Sequence, residues 1–85
     1  MADALRRLPY VLDRTGAKRS TIYNWIQAGL WPAAIVVGPR MTMWVESEID
    51  ALVRARIAGK SDEQIRALVA DLVARRQEDV HEARG

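Results

Sequence analysis

Residues 14–29 hold most of the side chains in this sequence that could recognise another molecule. At about 100° per residue, a helix through this stretch would collect its apolar side chains on one side, namely Ile22, Trp25, Ile26 and Gly29. Polar side chains would lie opposite: Ser20, Tyr23, Asn24 and Gln27. With Lys18 and Arg19 at its start, the polar side offers hydroxyl, amide and cationic groups that bind phosphates and base edges. These groups are suited to a DNA-contacting helix, but the division into two sides alone favours an ordinary amphipathic helix, and the segment that follows shifts the balance towards DNA.

Two glycines indicate how this helix is connected. Gly16 suits a sharp turn between two short helices, at about 9–14 and 18–28, and Gly29 suits the position that ends the second helix. Before them, residues 1–8 are expected to form a loose lead-in. Lys18 takes the N-cap position, where Ser, Thr, Asp or Asn would stabilise the helix by about 1 kcal/mol. A cation in place of a cap suggests contact with a phosphate backbone.

The following segment predicts a β-hairpin and a third helix. Residues 35–37 and 41–45 favour strands, and Gly38–Pro39–Arg40 favours the turn between them. A helix from Glu46 or Ser47 to about Ala58 would have an apolar stripe of Ile49, Leu52, Val53, the stem of Arg56, and Ile57. Three acidic residues lie at its start: Glu46, Glu48 and Asp50. The helix dipole favours carboxylates there, which explains them more simply than a metal or acid–base site does.

Residues 61–77 predict a fourth helix. Ser61 and Gln64 have the spacing of a capping box. An apolar stripe follows them: Ile65, Leu68, Val69, Leu72 and Val73. Because the preceding segments already make a compact domain, we expect this stripe to mediate self-association rather than to complete the core. The chain is thus divided into a domain of residues 1–58 and a C-terminal helix and tail of residues 59–85.

Composition excludes several classes of protein. The 85 residues contain no cysteine, so disulfides and thiolate chemistry are excluded, and one histidine, His81, in the predicted tail. No nucleophile–base constellation is present, so we expect no enzyme, cofactor or metal. The longest apolar run, residues 33–37, is too short to cross a bilayer, and we expect a cytoplasmic protein with no membrane contact.

The distribution of charge agrees with a DNA-contacting N-terminal part. Residues 1–60 hold nine Lys/Arg and five Asp/Glu, a net charge of +4. Residues 61–85 hold four Lys/Arg and six Asp/Glu, a net charge of −2. Positive charge therefore accompanies the predicted pair of short helices, as a DNA-binding surface requires.

The order of these motifs resembles the AlpA-type phage regulators, a branch of the MerR superfamily that includes small excisionases. The resemblance covers about residues 5–58 and rests on Leu8–Pro9, Val11–Leu12, Arg14–Thr15–Gly16, Arg19–Ser20–Thr21–Ile22–Tyr23, Gly29, Pro32, Gly38–Pro39–Arg40, Trp44 and residues 46–50. Two positions depart from the family pattern, since Lys18 stands where Ser is usual and Met43 where Gly is usual.

The resemblance implies a mainly α-helical fold with a small β-hairpin: a winged helix-turn-helix, here followed by an additional C-terminal helix. It implies that the helix holding residues 19–27 enters the major groove of double-stranded DNA. The hairpin would act as a wing on the backbone or minor groove, with Arg40 at its contact point.

The candidate DNA-contacting residues fall into three groups. The candidates for base or phosphate contact are Arg19, Tyr23, Asn24 and Gln27, since Asn and Gln can pair bidentately with adenine and Arg with guanine. The candidates for phosphate contact alone are Lys18, Ser20, Thr21 and, at the wing, Arg40. Arg6 and Arg7 are either further phosphate contacts or ordinary surface residues.

Three functions are compatible with these residues. The favoured one is a sequence-specific DNA-binding protein of a mobile element, acting as an excisionase (recombination directionality factor) beside a tyrosine or serine integrase in the bacterial nucleoid. A transcriptional regulator that binds a promoter would need the same contacts. A protein-interaction module that does not bind DNA is the third. The roughly 25 residues after the resemblance are too few for an effector pocket, so we expect no small-molecule ligand.

Overall fold

The protein is mainly helical with a small antiparallel sheet, as the sequence predicts. The computed structural model describes residues 3–84, and describes side chains for residues 3–77. In chain order the elements are β1 (Leu5–Arg6), α1 (Leu8–Thr15), α2 (Arg19–Ala28), β2 (Ile35–Gly38), β3 (Met41–Val45), α3 (Glu46–Ile57) and α4 (Asp62–Arg84). No helix within the described residues has the length and apolar character needed to cross a bilayer.

A hydrogen-bonded turn joins α1 to α2. Gly16 has φ 70°, and its amide donates to the Leu12 carbonyl at 2.8 Å. The left-handed conformation carries little penalty for glycine because it has no Cβ. The Thr15 hydroxyl donates to the Val11 carbonyl at 2.8 Å and accepts from the Ala17 amide at 3.1 Å. These bonds fix the direction in which α2 leaves α1.

The sheet has the strand order β1–β3–β2, and both pairings are antiparallel. β1 places Leu5 opposite Val45 and Arg6 opposite Trp44. The expected loose lead-in is therefore wrong for residues 5–6. A strand of two residues is too short for its sequence to show an alternation of apolar and polar side chains, which is why the pattern gave no sign of it.

β2 and β3 form the predicted hairpin. Ile35 lies opposite Met43, and the register shifts between Val36 and Gly38. Arg40 lies in the turn with φ 59°, a left-handed conformation that non-glycine residues adopt mainly in turns. The hairpin therefore carries an arginine at its tip.

Tryptophans anchor the core. Trp44 is fully buried, and its Nε1 donates to the Pro32 carbonyl at 2.9 Å, which fixes β3 to the segment between α2 and β2. Trp31 is also buried, and its ring centroid lies 6.1 Å from that of Trp25. The other buried apolar residues are Val11, Ile22, Leu30, Ile49, Leu52, Ala55, Ile65 and Val69.

Helix α4 begins as predicted but continues to Arg84 rather than ending near residue 77. The capping box is formed, since the Ser61 amide donates to Gln64 Oε1 at 2.9 Å and the Gln64 amide donates to Ser61 Oγ at 3.2 Å. Among the added residues, Glu78, Glu82, Ala83 and Arg84 favour helix, and extending a helix that has already started costs less than starting one.

The apolar stripe of α4 packs on this chain's own core. Ile65 and Val69 are buried, Leu68 and Leu72 are partly buried against the core, and Val73 is at the border of exposure. The expectation that the whole stripe faces a second copy is therefore wrong for Ile65 and Val69. Residues 3–58 leave an apolar surface on α3 that α4 covers in the same chain.

Three carboxylates at the start of α3 bind arginines from three other elements. Glu46 pairs with Arg6 of β1, Asp50 with Arg14 of α1, and Glu48 with Arg76 of α4. The helix dipole alone does not explain their presence, because each carboxylate also joins α3 to a different part of the fold.

In the Glu48–Arg76 pair the carboxylate is buried and the arginine, with 20% of its side chain exposed, is partly buried. Glu48 is 4% exposed, and Arg76 donates to it through Nη2 at 2.6 Å and through Nε at 2.9 Å. Arg76 Nη1 also donates to the Ala33 carbonyl at 3.2 Å. This geometry links α4 to α3 and to the segment that leads into β2.

The stripe predicted for α3 is wrong at Ile57, which is 81% exposed. The buried side of α3 instead comprises Glu48, Ile49, Leu52 and Ala55. Burial of a glutamate and an alanine turns the inward side of the helix away from Ile57. Sequence periodicity weights large apolar residues, so it could not show this rotation.

We expect Arg76→Ala to lower the free energy of unfolding by about 2–3 kcal/mol, because it leaves the buried Glu48 carboxylate without its partner. Arg75→Ala is the matched control, since Arg75 pairs with Asp71 on the exposed side of the same helix. That change should cost less than about 0.5 kcal/mol. Urea unfolding followed by tryptophan fluorescence measures both. Equal losses for the two variants would contradict a structural role for the buried pair.

Candidate nucleic-acid interface

Helix α2 has the predicted division between an inner and an outer side. Ile22 is fully buried, and Trp25 and Ile26 are partly buried against the core. The exposed side carries five polar side chains: Arg19, Ser20, Tyr23, Asn24 and Gln27. Tyr23 is 45% exposed despite its aromatic ring. A continuous polar surface about three turns long therefore faces away from the protein.

The start of α2 is not capped by a side chain. Lys18 occupies the N-cap position with φ −83° and ψ 159°, and its side chain makes no cap hydrogen bond. The first amides of a helix have no carbonyl partners within that helix, and the dipole makes this end positive. Lys18, Arg19 and Ser20 are exposed there, and Thr21 is partly buried beside them. An anion could therefore approach both the amides and the cationic side chains.

The hairpin places Arg40 in solvent. Arg40 is exposed in the turn, and no hydrogen bond or ion pair with another side chain among residues 3–77 involves its guanidinium. The adjacent Val36 is 76% exposed and Met41 is exposed as well. The tip of the hairpin thus offers one cation flanked by apolar side chains.

The two N-terminal arginines differ in their surroundings. Arg6 Nη2 lies 2.8 Å from Glu46 Oε1, and the guanidinium lies 4.7 Å from the centre of the Tyr10 ring. The Tyr10 hydroxyl donates to the same carboxylate oxygen, and burial together with this carboxylate raises the pKa of Tyr10. Arg7 is exposed at the start of α1. Of the two, Arg7 has the charge that is less compensated within the protein.

Two arginines hold the second half of α2 through contacts that sequence patterns did not indicate. Arg66 of α4 donates through Nε to the Ala28 carbonyl at 2.9 Å, at the negative end of the α2 dipole. Arg56 of α3 lies with its guanidinium 4.3 Å from the centre of the Trp25 ring. Gly29 ends the helix with φ 78°. The partners of both arginines are distant in sequence, so local patterns carry no sign of these contacts.

The chemistry available on this surface is binding. Its donors are the side-chain amides, hydroxyls and guanidinium groups on α2 and at the hairpin tip. Among the described side chains, no group of three or more His, Cys, Asp or Glu residues could hold a metal ion. The side chain of His81 lies outside the described residues. The structure thus places eight of the ten predicted residues on or beside α2 and the hairpin tip, and Arg6 and Arg7 apart from them at the N-terminus.

Comparison with known proteins shows the family. The family model described as prophage CP4-57 regulatory protein (AlpA) matches residues 5–57. The chain is 39% identical over 54 residues to the uncharacterized protein ORF88 of Enterobacteria phage P4, a match that covers 64% of this chain and 61% of that protein. It is 34% identical over 55 residues to the DNA-binding transcriptional activator AlpA of Escherichia coli K12, covering 58% of this chain and 79% of that protein. No solved structure matches the chain. Because the family model spans well over half of the chain, the protein belongs to the AlpA family of prophage regulatory proteins.

Proposed function

We propose that the protein is a sequence-specific DNA-binding regulator of a phage or integrated element, in which α1 and α2 act as a helix-turn-helix and the hairpin as its wing. The observation that carries this proposal is the exposed polar side of α2, whose opposite side is fixed in the core by Ile22. Membership of a prophage regulator family supports it, as does the similarity to the DNA-binding transcriptional activator AlpA of Escherichia coli.

In this proposal α2 lies in the major groove, which admits one α-helix. Asn24 and Gln27 lie three residues apart on its exposed side, so both can reach base edges in the same groove. Their carboxamides would pair with adenine, and the Arg19 guanidinium with guanine. Tyr23 lies on the same side of the helix, four residues after Arg19 and four before Gln27, and would contact a base or a phosphate.

Phosphate contacts would fix the position of α2 on the duplex. Lys18, Ser20 and Thr21 surround the uncapped start of the helix, where a phosphate could also accept from backbone amides. Arg40 would reach the backbone or the minor groove from the hairpin. These groups, with Arg7, would make about 4–6 phosphate contacts per protomer.

The biological result of binding would be excision of the element. Several copies on neighbouring grooves would bend or coat the DNA near an attachment site and favour excision by a tyrosine or serine integrase. The name of the Escherichia coli relative favours a second result, activation of a promoter. Either activity places the protein on DNA in the bacterial cytoplasm.

Salt titration tests the phosphate contacts. With about 4–6 contacts, log Kobs plotted against log salt concentration should have a slope near −4 to −5, and Arg40→Ala should make it shallower by about 1. Arg75→Ala removes an equal charge from the exposed side of α4 and should leave the slope unchanged. Electrophoretic mobility shifts on fragments that flank the gene and any neighbouring integrase gene provide the measurement. If Arg40→Ala and the unchanged protein gave the same slope, the hairpin would not contact the DNA backbone.

Base recognition is tested by Asn24→Ala. Loss of a bidentate contact to adenine should weaken binding to the specific site by about 1–3 kcal/mol, whereas binding to unrelated DNA should hardly change. Gln77→Ala serves as the control, since Gln77 is an exposed amide on α4, outside both α2 and the hairpin. If both Asn24→Ala and Arg40→Ala left DNA affinity untouched, the protein would instead be a protein-interaction module.

An excision assay separates the two biological results. Deletion of the gene from a strain that carries the element and its integrase should reduce precise excision, measured by quantitative PCR across the empty attachment site. Restoring the gene should restore excision, while the Asn24→Ala variant should not. If excision from an integrase supplied from an independent promoter did not depend on the gene, the protein would act through transcription.

A further inference from the structure

A pocket of about 270 Å³ lies between α2 and the C-terminal ends of α1 and α3. Its lining includes the rings of Trp25 and Trp31, whose centroids are 6.1 Å apart with an angle of 37° between the ring planes. Val53 and the exposed Ile57 of α3 add apolar surface. Drug-sized ligands occupy pockets of about 300–1,000 Å³. This pocket therefore suits a smaller molecule with an apolar body, such as one aromatic ring.

The charged side chains that line the pocket are two arginines. Arg14 Nη2 lies 2.8 Å from Asp50 Oδ1, so the charge of Arg14 is compensated in part. Arg56 forms no ion pair within residues 3–77. Among the described residues that line the pocket, none is acidic. The charge of the lining is therefore complementary to an anion.

Two buried donors in this lining lack acceptors. Trp31 is 2% exposed, and its Nε1 donates to no acceptor within residues 3–77. Arg56 Nη2 is also buried without an acceptor there, while its guanidinium lies 4.3 Å from the centre of the Trp25 ring. A buried donor that is left unpaired costs about 1–3 kcal/mol. Trp44 provides the contrast, since its Nε1 donates to the Pro32 carbonyl.

We propose that this pocket binds a small carboxylate with an apolar body. The body lies against Trp25, Trp31 and Val53, and the carboxylate binds Arg56. The planar guanidinium matches the two oxygens of a carboxylate, and rotation about the bonds of this long side chain brings Nη2 to them. A neutral molecule of the same shape would leave the guanidinium without its acceptor.

The position of the pocket differs from what the sequence led us to expect. We expected no small-molecule ligand because too few residues follow the family match to build a pocket. The residues that line this pocket all lie within residues 5–57, the range that the family model matches. The proposed site is therefore part of the family domain itself.

A ligand in this pocket would act on α2. Trp25 belongs to α2, and its contact with Arg56 is one of those that hold the second half of that helix. A carboxylate on Arg56 changes this contact. By linkage, the ligand and DNA then change each other's affinity by the same factor. This regulatory consequence rests on the proposed function, whereas binding of the carboxylate does not.

Heteronuclear NMR of the full chain without DNA tests binding, with phenylacetate as the probe. The indole N–H signals of the three tryptophans are the reporters. Phenylacetate should shift the signals of Trp25 and Trp31 to a saturating value, whereas the signal of Trp44 should stay in place. Phenylacetamide has the same ring without the charge and should bind at least about tenfold more weakly. Equal binding of the two molecules, or no shift with phenylacetate, would overturn the proposal.

Two variants test the role of charge in the pocket. Arg56→Gln should weaken phenylacetate binding by at least about tenfold. Arg54→Gln is the matched control, since Arg54 is exposed on the same helix and does not line the pocket. Equal weakening by both variants would overturn the assignment of the carboxylate to Arg56.

Ile57→Glu serves if Arg56→Gln unfolds, as judged by circular dichroism. Ile57 is 81% exposed at the edge of the pocket, so the change should leave the fold intact. The added carboxylate should weaken binding of phenylacetate and leave that of phenylacetamide unchanged. If the two molecules were affected equally, electrostatic recognition of the carboxylate would be wrong.

DNA titration with and without phenylacetate separates this inference from the proposed function. Saturating phenylacetate should change the affinity of the unchanged protein for its duplex by at least about fivefold, and that of Arg56→Gln hardly at all. Sodium chloride at the same ionic strength is the control. An unchanged affinity would overturn the effect on α2, and the NMR result would still decide the site. Absence of DNA binding in both conditions would overturn the proposed function alone.

Discussion

The buried ion pair between Glu48 and Arg76 is the constraint on which the rest of the structure depends. A carboxylate that is 4% exposed is tolerated only with a partner that satisfies its charge and its oxygens, and Arg76 binds both oxygens. This requirement fixes the position of α4 along α3. Once α4 is fixed, Arg66 lies within reach of the Ala28 carbonyl at the end of α2. The orientation of the proposed recognition helix is therefore coupled to a charge pair on the other side of the core.

The arginines that hold the fold together bind two kinds of partner, and other cations remain exposed. Arg6, Arg14 and Arg76 bind carboxylates of α3, while Arg56 and Arg66 hold the second half of α2. The cations left exposed on the candidate interface are Lys18, Arg19 and Arg40, and Arg7 is exposed apart from them at the N-terminus. A formal net charge of +2 conceals this division, because the acidic residues that balance the total are concentrated in ion pairs and on α4. Local charge, rather than net charge, is what a DNA backbone would meet.

Sequence patterns predicted the structural features that depend on residues close together in the sequence. The bounds and sidedness of α2, the uncapped Lys18 and the hairpin turn at Arg40 all follow from local periodicity and turn chemistry, so the exposure of most candidate site residues could be anticipated. Contacts between residues that are far apart in the sequence could not be anticipated in this way. Glu48 and Arg76 are 28 positions apart, and Arg66 and Ala28 are 38 apart. The inward side of α3 includes Glu48, which bonds to the distant Arg76, so local periodicity could not show that this side turns away from Ile57.

Fixing α2 at both ends has a consequence for recognition. Its first half is held by the Thr15 turn and by Ile22, and its second half by Trp25 with Arg56 and by Ala28 with Arg66. A helix held in this way loses little conformational entropy when it binds, so more of the contact energy appears as affinity. The family match ends at residue 57, whereas Arg66 and Arg76 lie beyond it on α4. In this chain, the region outside the family match therefore helps to set the geometry of the surface within it.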